Sequence, residues 1–245
     1  MIEQYRLSNN NGFSVIIIPY GGIIKEINVP DKNGQIDNVV LNYRKSEEYL
    51  EDNFFIGALI GRYANRIENG NFSLENENFQ LDKNEGDNHL HGGKNGFNKN
   101  FWKVVEYDSL NEKFIKLSYY SKHLECGYPG NLICDVKYFI NDKNEFTIEF
   151  MATSDKDTIF NPTSHSYFNL NPSEISILDH ELKINAKKYI PINKKSLPIN
   201  DVKRVVDTAF DFNKSKKIKV DINKNDDQIL NSKGYDHYFI LDKNK

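Results

Sequence analysis

No helical period persists over three turns anywhere in these 245 residues; the chain is a succession of short apolar segments cut by turn chemistry. Residues 14–19 and 22–30 read as adjacent strands around Tyr20-Gly21-Gly22, and Asp31-Lys32-Asn33-Gly34 is a turn in which glycine supplies positive φ. Residues 38–43 form a further apolar strand, and Ser46-Glu47-Glu48-Tyr49-Leu50 is the best helix-like opening, a short one. Strand-like segments then follow at residues 70–74, 77–81, 102–107, 114–120, 132–140 and 145–153. That spacing, without internal repeat or low-complexity linker, predicts a single all-β domain over residues 1–245, a large, mostly antiparallel sandwich. A chain of this length can bury the core such a sandwich needs.

Charge narrows the classes of partner. With 32 basic against 35 acidic residues and a net charge of −3, the chain carries no electrostatic footprint for nucleic acid and no polybasic membrane patch. No apolar run approaches a membrane span, and Met1-Ile2-Glu3-Gln4-Tyr5-Arg6 is no cationic, apolar leader. Cys126 and Cys134 cannot make a disulfide framework and read as reduced thiols. The expectation is a soluble, cytoplasmic protein without nucleic-acid or membrane partners; nothing in the sequence sets an oligomeric state.

Certain segments carry residues that a packed sheet does not need. Asn161-Pro162-Thr163-Ser164-His165-Ser166-Tyr167-Phe168-Asn169-Leu170 alternates like a strand with two differently furnished faces, Thr163, His165 and Tyr167 on one of them. An imidazole titrates near 6.5 (about the middle of the physiological range), so His165 can give or take a proton; the plain alternative is a histidine satisfied by its hydroxyl neighbours. Residues 60–67 embed Arg62, Asn65 and Arg66 among apolar neighbours, where an arginine must be paired or face a pocket. The planar guanidinium suits an oxygen-rich ligand, or equally a set of loop carbonyls. In Asn88-His89-Leu90-His91-Gly92-Gly93 the paired glycines permit a tight turn beside a ligand. His89 and His91 would share a strand face, but no further ligand is spaced to complete a zinc site, so no metal is expected. Gly234-Tyr235-Asp236-His237 puts an acid and a histidine at the mouth of an apolar strand.

In this order the motifs Gly61-Arg62-Tyr63-Ala64-Asn65-Arg66-Ile67, Leu90-His91-Gly92-Gly93, Gly127-Tyr128-Pro129-Gly130-Asn131-Leu132, Ser164-His165-Ser166-Tyr167-Phe168-Asn169-Leu170, Asp207-Thr208-Ala209-Phe210-Asp211-Phe212 and Gly234-Tyr235-Asp236-His237-Tyr238-Phe239 resemble those of the aldose 1-epimerases, or galactose mutarotases. The resemblance runs over practically the whole chain. It implies an antiparallel β-sandwich with a sugar cleft across one sheet, and cofactor-free interconversion of the α and β anomers of galactose, glucose or a related aldose. It implies His165 as general acid, His91 beside the same oxygen, and Arg66, Asn65 and Asp236 as sugar contacts; His89 has no such counterpart and is left structural. It further implies a general-base glutamate on a strand well beyond the Gly-Tyr-Asp-His motif, whereas this sequence stops at Lys245, four residues after Leu241. The corresponding expectation is a fold lacking its C-terminal strands, with activity reduced or lost. A non-catalytic hexose-binding domain using His91, Arg66 and Asp236, and a relative acting on phosphorylated hexose, remain as alternatives.

Overall fold

Four strands, β1 (Tyr5–Ser8), β2 (Ser14–Ile18), β3 (Ile23–Pro30) and β4 (Ile36–Asn38), pair antiparallel in chain order in a computed structural model that describes residues 2–242. The whole of β2, Ser-Val-Ile-Ile-Ile, is buried, as its unbroken apolar run requires. Gly34 takes the predicted left-handed conformation between β3 and β4, φ +83°. The Asp31 carboxylate accepts from the Asn33 and Gln35 amides across that turn.

Short pieces follow: β5 (Leu59–Ile60), β6 (Arg66–Ile67), β7 (Asn71–Leu74), β8 (Glu77–Gln80) and β9 (His89–Leu90). A second four-stranded antiparallel sheet is built from β10 (Lys103–Asp108), β11 (Phe114–Ser121), β12 (Leu132–Ile140) and β13 (Phe146–Ser154). Strand β12 alternates along its length, burying Leu132, Cys134, Val136, Tyr138 and Ile140. These side chains share one core with Leu7, Val15, Ile17, Ile24 and Ile27 from the first sheet. Two inner faces thus close on each other as a sandwich. The Tyr138 hydroxyl, inside that core, donates to the Gly22 carbonyl and so meets its own hydrogen-bonding need. Last in this part comes β14 (Thr163–Ser164), paired with β5.

Residues up to Pro172 form one compact unit and those from Ser173 a second. The second contains β15 (Glu181–Leu182), β16 (Ala186–Ile190), β17 (Lys203–Arg204), β18 (Lys216–Lys217), the helix α1 (Asp227–Ser232) and β19 (Tyr238–Leu241). Strands β17, β16 and β19 make an antiparallel sheet over a core of Tyr189, Val205, Ala209, Phe210 and Ile229. Asp226 caps α1 by accepting from the Gln228 and Ile229 amides.

Two strand expectations need correction, while the short helix-like opening holds. The predicted strand at 38–43 is not one continuous strand: Asn38 ends the ladder with β3, Val40 makes a single antiparallel bridge to Phe168, and between them the Asn38 side chain accepts from the Ile27 and Val40 amides and donates to the Val40 carbonyl. The helix-like opening is a 3-10 helix, Ser46–Glu51. The strand predicted from 162 to 170 shrinks to Thr163–Ser164. The expected stop at Lys245, with the strands missing beyond it, lies outside the described residues.

Candidate active site

Although β14 is short, its continuation is held from both sides. The His165 amide donates to the Ala58 carbonyl at 2.9 Å and its carbonyl accepts from Gly57 at 3.2 Å. Beyond it, the Tyr167 carbonyl accepts from Leu41 and the Asn169 amide donates to Val39. With the backbone fixed in this way, the half-buried His165 ring stands among three others, with centroids 5.2 Å from His91, 5.7 Å from Phe55 and 4.9 Å from Tyr167. Contact with Tyr167 fits the predicted common face. Among the described residues neither ring nitrogen of His165 has a hydrogen-bond partner, and Ser164 and Ser166 turn their hydroxyls toward each other instead. His165 is therefore not a histidine satisfied by its hydroxyl neighbours.

The second histidine owes its place to two glycines. Arg66 and Ile67 of β6 pair with Leu90 and His89 of β9, after which His91, Gly92 and Gly93 all take left-handed backbone, φ +54°, +90° and +96°. A Cβ on Gly92 would lie 1.6 Å from the Gly61 carbonyl oxygen, so only glycine fits. Alternation ends there, and the shared strand face expected of His89 and His91 does not form. His89 is fully buried; its Nδ1 donates to the Asp82 carbonyl at 2.8 Å and its Nε2 accepts from the Tyr128 hydroxyl at 2.6 Å. Both nitrogens are engaged within the protein, leaving none to ligate a metal. His91 is gripped by Asn65: its amide donates to the Asn65 carbonyl at 3.1 Å, and its Nδ1 accepts from the Asn65 amide at 3.0 Å. A ring that accepts at Nδ1 carries its proton at Nε2 when neutral. Burial, helped by His165 and Arg66 and opposed by Glu85, pushes the His91 pKa down to about 4. At neutral pH His91 is thus an uncharged donor through Nε2.

The two arginines divide their tasks. Arg62, 2 % exposed, donates to Ser121 Oγ and to the carbonyls of Ser121, Lys122, Pro129 and Gly130, at 2.8–3.0 Å. Glu125 accompanies it, accepting from the Tyr119 and Ser121 hydroxyls. This is a structural arginine with its countercharge. Arg66 extends Nε and Nη2 to Glu85, at 2.8 and 2.6 Å, and Nη1 to the Asn65 side-chain oxygen at 3.4 Å. Asn65 adopts φ +68°, which lets its backbone hold His91 while its side chain meets Arg66. Glu85 is absent from the sequence-derived candidates. The signal was available, since a half-buried arginine requires a carboxylate and Glu85 lies six residues before His91. Glu85, Phe55, Asn84, Lys94 and Lys99 line a cavity of ≈370 Å³, within the size range of small-molecule sites.

Within the first unit the structure gathers His165, His91, Arg66 and Asn65. Asp236 belongs to the second, exposed just ahead of β19, with its amide donating to His237 Nδ1 at 3.3 Å. No group of three or more metal-ligating side chains occurs among the described residues. Cys126 and Cys134 are unpaired, and burial pushes their thiols up to about 11 and about 12.

Residues 3–245 match the family model described as Aldose 1-epimerase. The protein named Aldose 1-epimerase of Escherichia coli K12 is 36% identical over 242 residues, covering 98% of this chain and 69% of its own length. The Galactose mutarotase of Sus scrofa is 35% identical over 245 residues, covering all of this chain and 68% of its own. Among solved structures, a galactose 1-epimerase from Lactobacillus acidophilus superposes with a TM-score of 0.88 at 32% identity, covering 100% of this chain and 75% of that one.

Proposed function

The chain belongs to the aldose 1-epimerase family, and from that premise we propose that it interconverts the α and β anomers of an aldose such as galactose or glucose at the His91–His165 pair, without a cofactor. One observation carries the reading: two imidazoles meet edge to face with centroids 5.2 Å apart, one held neutral as an Nε2 donor and the other with no hydrogen-bond partner among the described residues.

Anomer exchange needs a proton delivered to the ring oxygen and one removed from the C1 hydroxyl. His165, protonated, supplies the first as the C1–ring-oxygen bond breaks. The His91 Nε2–H supports the same oxygen while negative charge develops on it. The open aldehyde rotates about C1–C2 and recloses, and the proton returns to His165. Arg66 orients the sugar hydroxyls, with Asn65 beside it. No step changes an oxidation state. A general base takes the C1 hydroxyl proton as the ring opens and gives it back to the new C1 oxygen as the ring closes; a positioned base contributes about 10²–10⁴-fold to the rate. Unpaired thiols support a reducing, cytoplasmic setting, and among the described residues no helix is long and apolar enough to cross a membrane.

Exchange NMR on purified protein with galactose and glucose tests this reading. Line broadening that reports binding, together with anomer exchange faster than in buffer, supports it. Binding without acceleration would leave a hexose-binding domain.

A further inference from the structure

We propose that Glu85 is a positioning residue of the sugar site: it fixes the plane and direction of the Arg66 guanidinium and thereby sets the affinity for the aldose. This rests on the reading of Arg66 as a sugar contact. The geometry is specific, because both Glu85 oxygens take part, Oε1 meeting Nη2 at 2.6 Å and Oε2 meeting Nε at 2.8 Å. A bidentate pair orients a guanidinium where a single contact would let it swivel. Glu85 is itself fixed. Its amide donates to the Asn88 carbonyl at 3.1 Å, its carbonyl accepts from the Asn88 amide at 2.9 Å, and next to it the Asn84 side chain makes two bonds to the Leu90 backbone. That turn leads directly into His91. A continuous path therefore runs from Glu85 to Arg66, from Arg66 to the Asn65 side chain, and from the Asn65 backbone to His91 Nδ1.

Charge gives Glu85 a second effect along the same path. The charged or titratable groups that act on His91 are His165, Arg66 and Glu85. Arg66 and His165 oppose protonation of His91, and Glu85 is the one that favours it. Glu85 thus offsets the effect of Arg66 on His91.

Glu85→Gln keeps the shape and removes the charge. KM for galactose should rise about tenfold, the loss of one charge-assisted interaction, and by more than kcat falls. Glu85→Asp should recover part of that loss. In an Arg66→Ala background Glu85→Gln should add nothing, since the residue acts through Arg66. The His91 ring, followed by NMR, should titrate roughly half a pH unit lower in Glu85→Gln. An unchanged KM in folded Glu85→Gln, or an equal effect with and without Arg66, overturns the proposal. If Glu85→Gln does not fold, Glu85→Asp decides through KM, an unchanged value overturning it. If the wild-type chain shows no anomer exchange, the reaction assigned above fails, and Glu85 is still decided by the His91 titration: a downward shift supports its role and none refutes it.

Discussion

Arg62 and Arg66 lie four positions apart and show how far a residue type alone carries meaning. Arg62 binds four carbonyls in a buried setting. Arg62→Ala should therefore cost about 3–5 kcal/mol, seen as a lower urea midpoint, while the molecules still folded bind sugar as before. Arg66→Ala should reverse that balance, with little change in midpoint and galactose binding weakened about tenfold or more in an NMR titration. Interchanged effects would mean the roles are assigned to the wrong arginines. Motif resemblance pointed to Arg66 and to His91 over His89, whereas composition could not separate either pair. What the sequence left unreadable was partnership. Tyr128 and Asp82 occupy His89, and Glu85 holds Arg66, through contacts between segments that no local pattern marks.

Elements were legible wherever side-chain alternation matched burial. Residues 132–140 were read as a strand-like segment bounded by turn chemistry, and β12 spans them with every other side chain buried. Legibility failed where side chains or glycines took over the backbone's hydrogen bonds, as at Asn38 and at His91-Gly92-Gly93. The site is built on such irregular pieces, which is why its residues were recognised by motif and not by period. The turn before β9 makes this testable. Asn84 both accepts from the Leu90 amide and donates to the Leu90 carbonyl. Asn84→Ala strips both partners from a half-buried backbone and should cost about 1–3 kcal/mol in chemical denaturation. Because His91 follows directly, anomer exchange per folded molecule should drop as well; a stability loss with exchange unaltered would show that β9 does not set the His91 position.

At the scale of the molecule, burial holds His89, His91 and His237 below the usual histidine range. The sign of the consequence follows from linkage. An unfolded chain takes up protons on these rings near pH 6.5 (about the free histidine value) while the folded one does not, so stability is present above that pH and is lost as pH falls toward the His91 value of about 4. Thermal midpoints should decline from pH 7 to pH 4.5, and His91→Gln should flatten part of that slope; a slope unchanged in the variant would argue against a neutral, buried His91. The proton that His165 delivers is the central claim, and its most direct measurement is the rate of galactose anomer exchange by the wild-type chain and by His165→Gln, at equal folded concentration and neutral pH. The account predicts exchange that rises in proportion to wild-type protein and falls about 10²–10⁴-fold in His165→Gln, with galactose still bound. Exchange undiminished in His165→Gln would contradict it, as would bound galactose exchanging no faster with the wild-type chain than in buffer.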